Sequence, residues 1–349
     1  MRRFLAIFGI LALSQLLLAD IVPTPGTQPV SPIFDKADVV CNCMVELLRV
    51  VDEQKQERQG RPLLWQHVVA TVRINDLYKT TASIGTTVQV EYDHEVPSTR
   101  ASLPALAEGE TALLFLKATE GSRYGFADPF LGATRFASIP LDHGSLGLLK
   151  LQSALTAVLR QGTHDDQIRA MRLLQGMDKF GTDTLKQLTF LSASSDPDVA
   201  LSAIAALLKT RSPDSVERLV NYLNTYSGNA RQPFALITIG TELGQVSDSN
   251  ALPALEALTS SKYLSLRFGA VDAIRRIQDP RSSPVLVQRL DDPDSNIRYV
   301  AVITLAEIFG KTGDYAPTMN LFDGNPGFYT SLWKSWWTLE GKSLKKQSQ

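Results

Sequence analysis

The chain has 349 residues, 44% of them hydrophobic and 20% charged, with 35 Lys and Arg against 36 Asp and Glu for a formal net charge of −1. That length supports two or more cored domains, and the composition is ordinary for a globular protein. The near-neutral balance supplies no field to recruit phosphate backbones, which argues against a nucleic-acid partner.

The N-terminus carries the strongest local signal. Met1-Arg2-Arg3 is followed by a run from Phe4 to Leu18 broken only by Gly9, Ser14 and Gln15, with the small Ala19 before Asp20. A positive start, an apolar stretch too short to span a bilayer comfortably and a small residue at its end predict a secretory signal peptide over residues 1–19. Its loss would remove Arg2 and Arg3 and no acid, taking the charge to −3. The chain is therefore expected to be exported, to a periplasm or the outside of the cell, with no transmembrane segment after cleavage. Residues 20–33 hold Pro23, Pro25, Pro29 and Pro32. Repeated prolines remove donors and favour extended backbone, so this stretch reads as a flexible leader.

From about residue 34 to 140 the period is two. Val39, Cys41, Cys43 and Val45 share one strand face opposite Asn42 and Glu46. Val68 to Ile74, Val88 to Val90, Leu113 to Leu116 and Phe136 to Ile139 are further short runs. Five short strands in about a hundred residues predict a closed or nearly closed Greek-key barrel. The series Ala37-Asp38-Val39-Val40, Ala70-x-Val72-x-Ile74, Leu77-Tyr78-Lys79, Gly85-x-x-Val88-x-Val90 and Gly109-Glu110-x-x-Leu113-Leu114-Phe115-Leu116 resembles the netrin-like (tissue-inhibitor-of-metalloproteinase-like) OB domains. The resemblance implies an OB barrel. Protease inhibition in that family depends on a cysteine at the mature N-terminus and a disulfide set, whereas this chain has two cysteines, neither at that position.

Cys41 and Cys43 point to the same strand face. They read first as two core-facing thiols, second as a disulfide within or between chains, and last as metal ligands lacking companions at ligand spacing. Trp65, Tyr78 and Tyr92 are scattered without interleaved Lys or Arg and read as packing or edge cover.

From Leu146 the spacing is helical to Trp337, and it repeats. Ser195-Asp196-Pro197-Asp198 recurs as Asp291-Asp292-Pro293-Asp294, 96 residues on, or three units of 32. Val199, Leu266 and Ile297 are each followed four residues later by alanine (Ala203, Ala270, Ala301) and eight later by Leu207, Ile274 and Leu305; Ala235 with Ile239 fits the intervening copy. Small side chains in one column let helices approach, large ones fill the layer, and a pair this short cannot bury its apolar face alone, so copies stack. The pattern, with Leu266-Arg267-x-x-Ala270 and Ile297-Arg298-x-x-Ala301, resembles HEAT-like repeats of the phycobilisome-lyase type. The expected architecture is thus an all-β OB-like barrel (34–140) followed by an all-α right-handed HEAT-like solenoid (145–342) and a disordered tail (343–349). The resemblance further implies that Arg169, Arg267 and Arg298 are structural, each pairing with an acid of an adjacent copy.

At the end, Trp333, Trp336 and Trp337 fall on one helical stripe. The stripe reads as a cap over the last apolar layer, with an aromatic docking surface for a partner as the alternative. No catalytic set emerges. Asp142-His143-Gly144-Ser145 lies in a loop and cannot converge as a triad, and His164-Asp165-Asp166 reads as a helix start. No cofactor or metal is expected. The function read from the sequence is an exported, non-catalytic scaffold that binds a protein or peptide through the repeats. A bilin-lyase-like enzyme or accessory and a protease inhibitor acting through the barrel are the alternatives that the two resemblances imply.

Overall fold

The computed structural model describes residues 30–58, 61–96, 105–119, 123–129, 132–177, 179–225 and 233–341. The expected signal peptide, residues 20–29 of the leader and the tail lie outside them. Contacts divide the chain into two compact units, Met1–Thr184 and Leu185–Gln349.

The first unit opens with helix α1 (Val30–Lys36), then strands β1 (Val39–Arg58), β2 (Arg61–Thr80), β3 (Thr87–Val96), β4 (Thr111–Ala118), β5 (Tyr124–Phe126) and β6 (Ala133–Phe136). The neighbour order β1-β2-β3-β5-β4, closed by a β1–β4 pairing, makes a five-stranded ring with β6 following β5 along the free edge of β4. All pairings are antiparallel except β3–β5. Closure is the OB arrangement, with the β3–β5 seam made by one bridge, Val90↔Tyr124. The interior is filled by Cys41, Cys43, Val45, Val68, Ala70, Val72, Val90, Leu114 and Leu116.

Strand β1 serves two structures. Val39 to Met44 pair with β4 on one side and β2 on the other; beyond them β1 continues only as a hairpin with β2, to Arg58↔Arg61. Register shifts at Val40/Cys41 and Asn42/Cys43 lie within the ring, and those at Val45/Leu47 and Val50/Asp52 bend and twist the strand where it leaves the ring. Sequence periodicity ends this strand near Val45, because from Glu46 to Lys55 β1 has no buried residue and only Leu48 is partly buried. Strand β5, of three residues, gives no periodic signal either.

Four residues assigned to the leader, Val30 to Ile33, begin α1 instead. Val30 and Ile33, with Phe34, are buried. The helix forms because its ends are satisfied from elsewhere in the unit. The N–H groups of Val30 and Ser31 donate to the Gly176 carbonyl at 2.7 and 3.3 Å. Lys79 Nζ donates to the Phe34 and Asp35 carbonyls at 2.7 and 2.8 Å, placing a cation at the helix C-terminus. None of these partners is local in sequence.

Two helices belong to the same unit: α2 (Leu148–Gln161) and α3 (His164–Gln175). The sequence puts the joint near 140–145, but these helices pack on the barrel through buried charge. Lys150 Nζ meets Asp76 Oδ1 at 2.6 Å and the Leu77 carbonyl at 2.9 Å, and Asp76 Oδ2 accepts the Asp142 N–H. Asp166 accepts the Ala137 N–H at 3.1 Å and pairs with Arg169. Thr163, one residue before the expected acidic start, is the cap of α3, its side chain accepting from the Asp166 N–H.

Helix α4 (Thr182–Leu191) crosses the division. The second unit continues with α5 (Pro197–Leu208), α6 (Pro213–Thr225), α7 (Pro233–Leu243), α8 (Leu252–Leu258), α9 (Leu264–Ile277), α10 (Ser283–Arg289), α11 (Ser295–Phe309), α12 (Met319–Gly324) and α13 (Pro326–Trp336). The helices alternate between two layers. In the first, α5 contacts α7, α7 contacts α9 and α9 contacts α11; in the second, α6 contacts α8. The alanine columns face inward, with Ala203, Ala270 and Ala301 fully buried, as are Ile274 and Leu305.

In the intervening copy the small residue is not the expected one. Ala235 is only half-buried, and the closest approach uses glycines: a Cβ on Gly269 would lie 2.2 Å from the Gly240 carbonyl oxygen, and one on Gly240 would lie 2.3 Å from that of Ser265. Helices α7 and α9 thus meet backbone to backbone. Substitution Gly269→Ala is expected to destabilise the chain by about 2 kcal/mol or more, since the obstacle is main chain that cannot rotate away. Gly324→Ala, with open space at its Cβ, should stay within about 0.5 kcal/mol. Chemical denaturation of both variants checks the contrast, and equal effects would contradict this packing.

Candidate interaction surface

Charged side chains occur at the joints between copies, and most are consumed in holding them. Helix α11 begins at Asp294, whose side chain accepts from the Asn296 and Ile297 N–H groups, as Asp196 accepts from Asp198 and Val199 at the start of α5. The structural counterpart of Asp196 is therefore Asp294. The 96-residue match to Asp292 is two residues out of register, because Asp-x-Asp spacing offers the Asp-Pro pair two alignments. Freed from capping, Asp292 has another role. Its carboxylate, 1% exposed, accepts from Arg267 Nε and Nη2 at 3.1 and 3.3 Å and lies 3.7 Å from Arg289 Nη1.

Arg267 also donates to the Ser261 and Lys262 carbonyls at 3.0 and 3.5 Å. Thirty-one residues on, Arg298 repeats this with the Asp292 and Pro293 carbonyls at 2.7 and 3.0 Å. The arginine column is thus one device used twice. It gathers the carbonyls of the turn before its own helix, and Arg267 also takes the acid that opens the next copy. Arg169 bonds within its own helix instead, to Asp166 three residues earlier. Helix α9 is stitched on both sides: Arg276 Nε donates to the Gly244 carbonyl at 2.5 Å, and Arg275 grips Glu307 at 2.6 and 2.9 Å. Burial raises the Asp272 carboxyl above the usual carboxylate range against the opposing pull of Arg276 and Arg275.

The tryptophans divide. Trp333 is fully buried, its indole N–H donating to the Tyr315 carbonyl at 2.9 Å. Trp336 is buried too, 4.7 Å from the Phe309 ring centre, with its N–H on Glu340. Trp337 is half-buried. A docking surface made of all three is therefore corrected: Trp333 and Trp336 seal the last layer and have no free face. The exposed apolar side chains of this copy are Leu321, Phe328 and Leu339. Helical spacing cannot separate these two sets, because Phe328, Trp333, Trp336 and Trp337 are all apolar at stripe-like intervals.

Cys41 and Cys43 are free thiols, both fully buried in the barrel. Burial and the neighbouring Cys41 raise the Cys43 thiol well above its ordinary range, so it stays protonated. Of the residues weighed for catalysis, Asp142 caps its own loop through the Gly144 N–H at 2.7 Å; a bond from the Ser153 hydroxyl, and then the Gly144 bond, hold its carboxyl below the usual range.

A family model described as HEAT repeats matches residues 233–306. No curated protein matches the chain. Among solved structures, the complex of CpcE and CpcF of phycocyanin lyase from Nostoc sp. PCC7120 is similar at 20% identity with a TM-score of 0.31, over 45% of this chain and 64% of that one. The chain thus spans less than two thirds of that relative.

Replacing Trp336 by alanine is expected to cost about 3–5 kcal/mol, the range for a buried aromatic. Lys334→Ala, which removes a solvent-exposed pair with Asp291, should cost under about 1 kcal/mol. Denaturant unfolding monitored at the tryptophans checks both. The chain carries HEAT-like repeats behind an OB-like barrel, the repeats being an architecture of protein-interaction scaffolds.

Proposed function

We propose that this chain is an exported, non-catalytic binding protein whose helix-pair repeats receive a partner protein or peptide. The observation that carries the reading is the division of labour in the second unit. The joint charges Arg267, Asp292, Arg275 and Glu307 are spent on one another, while Leu321, Phe328 and Leu339 of the last copy stay exposed. Stacked helix pairs offer an extended surface without needing a deep pocket, and exposed apolar anchors are what a partner would bury. Export rests on the Arg2-Arg3 start, the apolar run to Leu18 and the small Ala19.

Two outcomes are expected. Expressed with its native N-terminus in a secreting bacterium, the protein recovered from the envelope or medium should begin at Asp20 by intact mass; retention in the cytoplasm at full length would contradict export. Crosslinking in that fraction should capture a stoichiometric partner that is lost from the variant carrying Leu321→Glu and Phe328→Glu. A partner retained by that variant would move the contact away from the last copy, and repeated recovery of none would count against the scaffold reading.

A further inference from the structure

The hairpin extension of β1 and β2, together with β3, carries a group of side chains that neither the barrel closure nor the repeats employ. Register sets Asp52 of β1, His67 of β2 and Asp93 of β3 side by side across three strands. Gln54 and Trp65 form the adjoining pair. With Gln66, these residues line an open cleft of about 330 Å³, at the small end of the size range of ligand sites.

The polar groups are tied to one another before any ligand arrives. His67 Nδ1 lies 2.7 Å from Asp93 Oδ1. A carboxylate there suits a ring that donates from Nδ1, and Nε2 is the second polar atom of that ring. Asp52 accepts from the Glu53 N–H at 2.9 Å and from Gln54 Nε2 at 3.3 Å, and Gln66 Nε2 donates to Glu53 at 2.5 Å. Each planar group keeps further lone pairs or amide hydrogens beyond those bonds. The half-buried Trp65 adds an apolar plane with a polar edge.

The chemistry of this lining selects among ligands. Two carboxylates without a lysine or arginine disfavour an anion. An organic cation would have to compete with the Glu53 N–H and Gln54 amide already donating to Asp52 and with the His67 ring against Asp93. A hydroxyl both donates and accepts, and a pyranose ring presents hydroxyls around its rim and C–H groups on its face. We propose that this cleft binds a neutral sugar unit of a glycan, with Trp65 beneath the ring and Asp52, Asp93, Gln54 and His67 around its hydroxyls. The cleft is placed by β-strand register and not by loops, so it is preorganised. This inference is independent of the partner proposed for the repeats.

The test is calorimetric titration of the full chain with neutral hexasaccharides of β-1,4-glucose, β-1,3-glucose, α-1,4-glucose, β-1,4-N-acetylglucosamine, β-1,4-xylose and α-1,6-mannose, with spermidine and a sulfated heparin hexasaccharide alongside. At least one neutral oligosaccharide should bind saturably. Trp65→Ala and Asp93→Ala should each weaken it by about tenfold or more, the scale of one stacking or hydrogen-bonding anchor. Asp52→Ala, at an exposed carboxylate, should weaken it similarly and supplies the result if the Trp65 variant fails to fold. The proposal is overturned if none of the neutral sugars binds, if spermidine or the heparin fragment binds in preference, or if folded variants keep full affinity.

Discussion

A guanidinium held against a carboxylate that is almost out of reach of water sets the register of the second unit. Asp292 is 1% exposed and Arg267 is 13% exposed at the side chain. Removing either partner would strand a buried charge, a penalty far larger than that of losing a surface pair. The carbonyls gathered by the same arginine belong to the turn before its helix, so one side chain fixes both the end of one helix and the start of the next copy. With the register fixed, Gly240 and Gly269 come together at main-chain distance, Arg275 finds Glu307, and Trp333 and Trp336 close the end.

The first unit solves the corresponding problem by closure. Its strands close into a ring, and β1 is long enough to leave the ring and continue as a hairpin. Buried or half-buried charge again attaches the helices. Lys150 reaches Asp76, Lys79 caps α1, and Asp166 receives the Ala137 N–H. These contacts explain why the compact division falls at Thr184 and not at the end of the strands.

Period was the legible part of this sequence. Alternation at Cys41, Cys43 and Val45 and the alanine column Ala203, Ala270 and Ala301 report burial directly, and both patterns coincide with buried positions. What escaped were features whose partners are distant or whose faces are wet. Helix α1 depends on Gly176 and Lys79, and the β1 extension exposes both sides of its ladder. The Gly240–Gly269 contact leaves no apolar residue to mark it. The aspartates were legible as helix starts but not in register, since a cap and a salt-bridge acceptor look alike two residues apart. The cleft at Trp65 was invisible for a similar reason: Asp52, His67 and Asp93 are neighbours only across strands, and one bulge at Val50/Asp52 decides which residues meet.

The repeats therefore stand on a buried polar clamp as much as on their apolar layers. A double-mutant cycle on Arg267 and Asp292, each replaced singly and together by alanine and unfolded in denaturant, isolates that clamp. A coupling energy of about 2 kcal/mol or more is the result predicted for a pair that locks adjacent copies. Additive effects, with coupling under about 0.5 kcal/mol, would contradict it and leave the register to the apolar columns alone.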